Sequence, residues 1–154
     1  MKNREIKYRF YDKRVKRMYY PNPLQMAKFF EAYATDKYKD ILVPMQATGI
    51  FDNTKFKNLS PEQQNKWLEN NKKEDWPGIE IYEGDVTALR YDKERTEYGV
   101  VSYYRAGFQK SGTALSSYQK LTTIVGNLFE GYPSEAKWAV DFHLREFKEI
   151  ESEV

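Results

Sequence analysis

The chain has 154 residues, 40% hydrophobic and 31% charged, a composition that suits one globular domain and is too apolar for disorder. With no cysteine and one histidine, it cannot form disulfides, thiolate metal sites or a multi-histidine metal centre. Its net charge of +2 is unevenly spread: residues 1–20 carry eight Lys/Arg against Glu5 and Asp12, and residues 130–154 carry seven Asp/Glu against Lys137, Arg145 and Lys148. Without a signal-peptide pattern or a run of ~18 apolar residues, a cytoplasmic protein with no membrane span is expected.

Aromatic residues make up 16% of the chain, led by 13 Tyr, which favours a β-rich fold. Residues 5–11 alternate, with Ile6, Tyr8 and Phe10 predicted inward and Lys7 and Arg9 outward. Asp12-Lys13-Arg14 interrupts this pattern and residues 15–20 resume it, so the pair reads as a hairpin. Asn22 then caps a helix with Pro23 in its first turn and Met26, Phe29, Phe30 and Tyr33 on one broad side. Residues 41–48 read as a strand in which Pro44 marks an edge or a bulge.

Ser60-Pro61-Glu62-Gln63 is a capping box with proline at its first helical position, and it opens a helix near 61–72. That helix lies in a segment, 52–78, that reads as an insertion between strands. Residues 79–86 alternate, Ile79 and Ile81 inward against Glu80 and Tyr82, until Glu83-Gly84-Asp85 breaks the pattern before Val86. Gly84 tolerates positive φ and Asp85 can bond nearby backbone, so a sharp corner into a small, bent β-barrel is predicted. Strands follow at 86–91 and 99–104. Residues 107–117 have no period and read as a loop, and a strand at 121–125 turns at Gly126-Asn127. Ser134 is placed as the cap of a last helix reaching about residue 150.

Three segments together resemble the YopX family of phage and prophage proteins. They are Arg4-Glu5-Ile6-Lys7-Tyr8-Arg9-Phe10-Tyr11-Asp12, then Met45-Gln46-Ala47-Thr48-Gly49 with Glu80-Ile81-Tyr82-Glu83-Gly84-Asp85-Val86, and Val125-Gly126-Asn127-Leu128-Phe129-Glu130. The resemblance spans about residues 4–130. The chain departs from the family pattern at 52–78, where a short loop is usual, and in the helix after Pro133. The resemblance implies an SH3-like, β-rich barrel core over 1–131, and with the helical extension read over 132–154 a mainly β, α+β chain is expected. It also implies a bacterial host cell as the setting, and it carries over no catalytic residue.

Four constellations are candidate sites. Glu80, Glu83 and Asp85 could share a divalent metal as nuclease carboxylates do, although a solvated turn explains them more simply. His143 falls within a stripe of Ala136, Ala139, Val140, Phe147 and Ile150, which favours a core histidine over a general base. Lys7, Arg9, Lys13, Arg14, Lys16 and Arg17, interleaved with Tyr11, Tyr19 and Tyr20, could hold nucleic acid by phosphate contact and stacking. Exposed strand lysines are also an ordinary guard against edge aggregation. Trp138 and Phe142 lie away from the His143 stripe, among Glu135, Glu146 and Glu149, where they either pack at home or meet another copy.

The expectation is a non-enzymatic binding or assembly module without a cofactor, able to form a homo-oligomer or engage a protein partner. Nucleic-acid binding through the hairpin is the alternative, and a carboxylate-metal nuclease is a distant third. The basic head and acidic tail predict head-to-tail association.

Overall fold

Asp12 turns the first hairpin. Its Oδ1 accepts the N–H groups of Arg14 (2.9 Å) and Val15 (3.3 Å), and Lys16 closes the turn at φ +54°. The turn joins β1 (Tyr8–Asp12) to β2 (Arg17–Tyr19). The structure, a computed structural model, describes residues 6–90, 92–104, 107–110, 113–114 and 120–152. Arg4 and Glu5 of the predicted hairpin lie outside them.

Asn22 and Gln25 form a reciprocal capping box, with Pro23 at the first position, and start α1 (Pro23–Tyr33). Phe29 and Phe30 project from α1 onto Phe10, with centroids 4.9 and 5.0 Å away, and Phe30 also meets Tyr8 at 4.9 Å. The predicted apolar side of α1 therefore covers the face of β1 that carries Tyr8 and Phe10. Ile6, predicted on that same face, is 63% exposed because it precedes the strand and α1 does not reach it.

On the other side of β1 comes β3 (Leu42–Phe51). The Ala47 N–H donates to Lys7 (2.8 Å) and the Gln46 N–H points the opposite way, to Glu83 Oε1 (2.9 Å). By that alternation Pro44 turns its nitrogen away from β1. There β4 (Glu80–Tyr82) pairs only with Ala47 and Phe51, so proline removes no ladder bond. The first sheet runs β2-β1-β3-β4.

A second, five-stranded sheet follows. It comprises β5 (Asp85–Arg90), β6 (Thr96–Tyr104), β7 (Gly107–Lys110), β8 (Thr113–Ala114) and β9 (Thr122–Asn127). Much of the region read as a loop at 107–117 is thus strand. β7 pairs with β6 from Val101↔Lys110 to Tyr104↔Gly107, and backbone pairing of this kind needs no side-chain period. Residues 111–112 and 115–117 of that prediction lie outside the described residues. Two apolar clusters fill the interior, Ile81 with Val101, and Val86 with Val100, Ala136 and Val140.

The Ser60 capping box starts α2 (Pro61–Leu68), inside the predicted insertion. Ser134 does not cap the last helix. It opens a single 3-10 turn, Ser134–Ala136, and α3 (Lys137–Ser152) begins after it. α3 lays Ala139, Val140 and His143 against the second sheet. The side chains of Phe147 and Ile150 lie outside the described residues. The result is a mostly β, α+β fold with three α-helices among the described residues.

Candidate functional site

The corner at Glu83-Gly84 carries the chain from one sheet into the other. Gly84 sits at φ +84°, its N–H donates to Val101 (2.9 Å) and its carbonyl accepts from Leu128 (3.0 Å). Asp85 follows, and its carboxylate bonds backward along the chain, with Oδ2 accepting the Tyr82 N–H at 2.8 Å. Oδ1 accepts from Arg9 Nη2, also at 2.8 Å. The same Nη2 donates to the Glu83 carbonyl (3.1 Å), and the guanidinium lies 4.8 Å from the centre of the Tyr82 ring.

Contrary to the outward position its alternation predicts, Arg9 is 3% exposed and unavailable to nucleic acid. β1 is covered on both faces, by α1 over Tyr8 and Phe10 and by the corner and Phe129 over Arg9 and Tyr11. Burial raises the Asp85 carboxyl above the ordinary carboxylate range, against the pull of the Arg9 charge and the Tyr82 N–H. Burial, reinforced by Glu80, pushes the Tyr82 hydroxyl up to about 12. Glu83 accepts from Gln46, and Glu80 lies 3.6 Å from Lys7. The three carboxylates grouped in the sequence are therefore divided among three partners.

A further buried carboxylate, Asp52, has no counterpart among the sequence candidates. Its Oδ1 accepts the N–H groups of Thr54 (3.0 Å) and Ile79 (2.9 Å), and Oδ2 accepts the Thr54 hydroxyl (2.8 Å) and the Ile124 N–H (3.1 Å). One side chain thereby ties both ends of the insertion to β9. Gly78, at φ +111°, comes so close that a Cβ there would collide with the Asp52 carbonyl oxygen. Asp52-Asn53-Thr54 does carry a turn signature, but its link to Ile124 has no local signal. Within the insertion Trp67 stands edge-on to Trp76 at 5.1 Å, and Trp76 meets Phe56 at 6.3 Å.

The remaining hairpin cations part company. Lys13, Arg14, Lys16 and Arg17 are exposed at the turn, whereas Lys7 is at the far end of β1 beside Glu80. The fold adds Lys37 and Tyr38 to the turn, with Arg14 and Lys37 lying 5.6 and 5.2 Å from the Tyr38 ring centre. Hydrogen bonding from Arg14 and the Lys37 charge lower the Tyr38 hydroxyl's pKa. Tyr19 turns toward Phe29, 5.5 Å away, and is half-buried. Gly126 lies within β9 beside a register shift, and Asn127 turns the chain by accepting from the Phe129 and Glu130 N–H groups.

On α3, Trp138 is 72% exposed and stacks on Phe142 with centroids 5.7 Å apart. A groove of about 590 Å³ runs beside them, lined by Thr96, Glu97, Tyr98, Glu135 and Ala139. Arg145 lies 6.0 Å from the Phe142 ring. His143 faces inward and burial lowers its pKa to about 4, so it is neutral at neutral pH.

Among the described residues no helix is long and apolar enough to cross a membrane. No protein-family model and no curated protein matches the chain. Among solved structures it is similar to protein EF1440 from Enterococcus faecalis, with 18% identity, a TM-score of 0.48, and coverage of 82% of this chain and 94% of that one.

Proposed function

We propose that this protein is a non-enzymatic binding and assembly module, encoded by a phage or prophage and built on an SH3-like core. The observation that carries the reading is Trp138, a large ring 72% exposed and stacked on Phe142, on a helix whose inner side is already buried. The non-enzymatic part is supported by the use made of the buried ionisable groups. Arg9, Asp52 and Asp85 are bonded to one another or to backbone at strand junctions. The phage setting and the SH3-like core rest on the likeness of residues 4–130 to the YopX family. Sedimentation of the parent and of a Trp138→Ser, Phe142→Ser variant tests the module. Burial of such rings contributes ~2–3 kcal/mol each, so loss of association in the variant is expected.

One observation favours nucleic-acid binding as a second reading, namely that Lys13, Arg14, Lys16 and Arg17 stay exposed and gain Lys37 and Tyr38 as neighbours. Affinity for single-stranded DNA should then fall steeply with salt, with a log–log slope of about −0.7 per phosphate contact. Changing those four hairpin cations to Ser should abolish it. No binding at low salt would retire this reading.

A further inference from the structure

We infer that the occupant of the Trp138 face is a second copy of this chain, docked as an antiparallel pair of α3 helices about a two-fold axis at the level of Val140. This rests on the assembly reading above and specifies the partner and its orientation. At about 100° per residue, Trp138, Phe142 and Arg145 share one narrow arc of α3. The contacts agree with that spacing: Trp138 stacks on Phe142, Arg145 lies beside the Phe142 ring, and Glu135 in the preceding turn lines the same groove.

Glu135, Trp138, Phe142 and Arg145 follow one another as acid, aromatic, aromatic, base, spaced symmetrically about position 140. Antiparallel pairing at that level sets Glu135 of one copy against Arg145 of the other, twice, and Trp138 against Phe142, twice. Parallel pairing sets Glu135 against Glu135 and Arg145 against Arg145, and like charges facing each other oppose association. A two-fold contact of this kind is closed and isologous. The head-to-tail arrangement expected from the bulk charge of the two ends is heterologous, a ring or an open chain, and leaves this local complementarity unused. A single helix face is smaller than the ~800 Å² per partner of a standard interface, so a weak, reversible dimer is expected.

Sedimentation velocity of the full chain, up to a few hundred micromolar, provides the test. The parent should be a reversible monomer–dimer. Glu135→Arg and Arg145→Glu alone should each raise the dissociation constant roughly tenfold or more, because the axis breaks two pairs and opposes like charges twice. The double exchange should restore the dimer. Glu135→Gln and Arg145→Gln, which remove the attraction without adding repulsion, should weaken it less, and circular dichroism checks that every variant folds. A parent that stays monomeric throughout overturns the inference and leaves the α3 face to a different protein. Association that survives Trp138→Ser, Phe142→Ser overturns the assembly reading of α3. Association lost in that variant but not restored by the charge exchange keeps α3 as the surface and overturns the antiparallel two-fold.

Discussion

Arg9 and Asp85, 76 residues apart in sequence, meet at 2.8 Å with side chains only 3% and 2% exposed. A strand of the first sheet is thereby tied to the first residue of β5 in the second. Removing one member of a buried pair strands the other charge, at a cost of about 3–5 kcal/mol. Arg9→Met should therefore destabilise the protein by that order in urea unfolding. Asp85→Asn should cost a similar amount, since its one amide oxygen can keep the Tyr82 N–H only by turning its NH2 toward the Arg9 guanidinium. The double variant should recover much of the loss. If the two changes are simply additive, the pair is not coupled as its geometry implies.

At the corner itself, Gly84→Val should cost ~1–3 kcal/mol, because a β-branched residue is strained at positive φ. A Cβ there would also stand 3.0 Å from the Met45 sulfur. Gly78→Ala should be the more damaging change, since the obstacle is backbone at Asp52 and not a flexible side chain. A Gly84→Val variant that melts with the parent would show that the corner tolerates an extended conformation.

The insertion should be dispensable. The Asp52 N–H donates to the Ile79 carbonyl at 2.8 Å, so its ends already lie side by side. Phe56, Trp67 and Trp76 pack on one another within it. Deleting residues 55–76 and joining Thr54 to Pro77 by a short turn should leave a cooperative melt, since loop length affects stability only weakly. Asp52→Ala should cost more than the deletion, because it leaves the N–H groups of Ile79 and Ile124 without their acceptor. The reverse ranking would place the stability in the insertion.

His143 sets a pH dependence. Its folded pKa is lowered from 6.5 to about 4, so between those values the unfolded chain binds the extra proton. Stability contributed by neutral His143 is complete above pH ~6.5 and is lost as pH falls toward 4. The Asp85 carboxyl, raised by burial, acts in the opposite sense in acid. Melting temperatures across this window should fall less for His143→Gln than for the parent. Parallel declines in the two proteins would mean that His143 does not titrate there.

Much of the fold is legible in short stretches of sequence. The cap at Asn22, the capping box at Ser60, the corner at Gly84 and the inward stripe of α3 through Ala139, Val140 and His143 follow from neighbours within about four residues, the range of caps, turns and helix faces. The exposed Trp138 and the half-buried Phe142 are visible in the same way, as a second apolar side of one helix. The tertiary structure alone decided the fate of Arg9. Alternation assigned it to a face of β1, but whether water or Asp85 covers that face depends on a corner 76 residues downstream. The same holds for Asp52, whose partner at Ile124 lies 72 residues away, and for Lys37 and Tyr38 joining the hairpin turn. Local sequence specifies what a backbone segment can do with its own neighbours. What covers a strand's second face is set by the packing of distant segments, whose contacts leave no periodic trace in the chain.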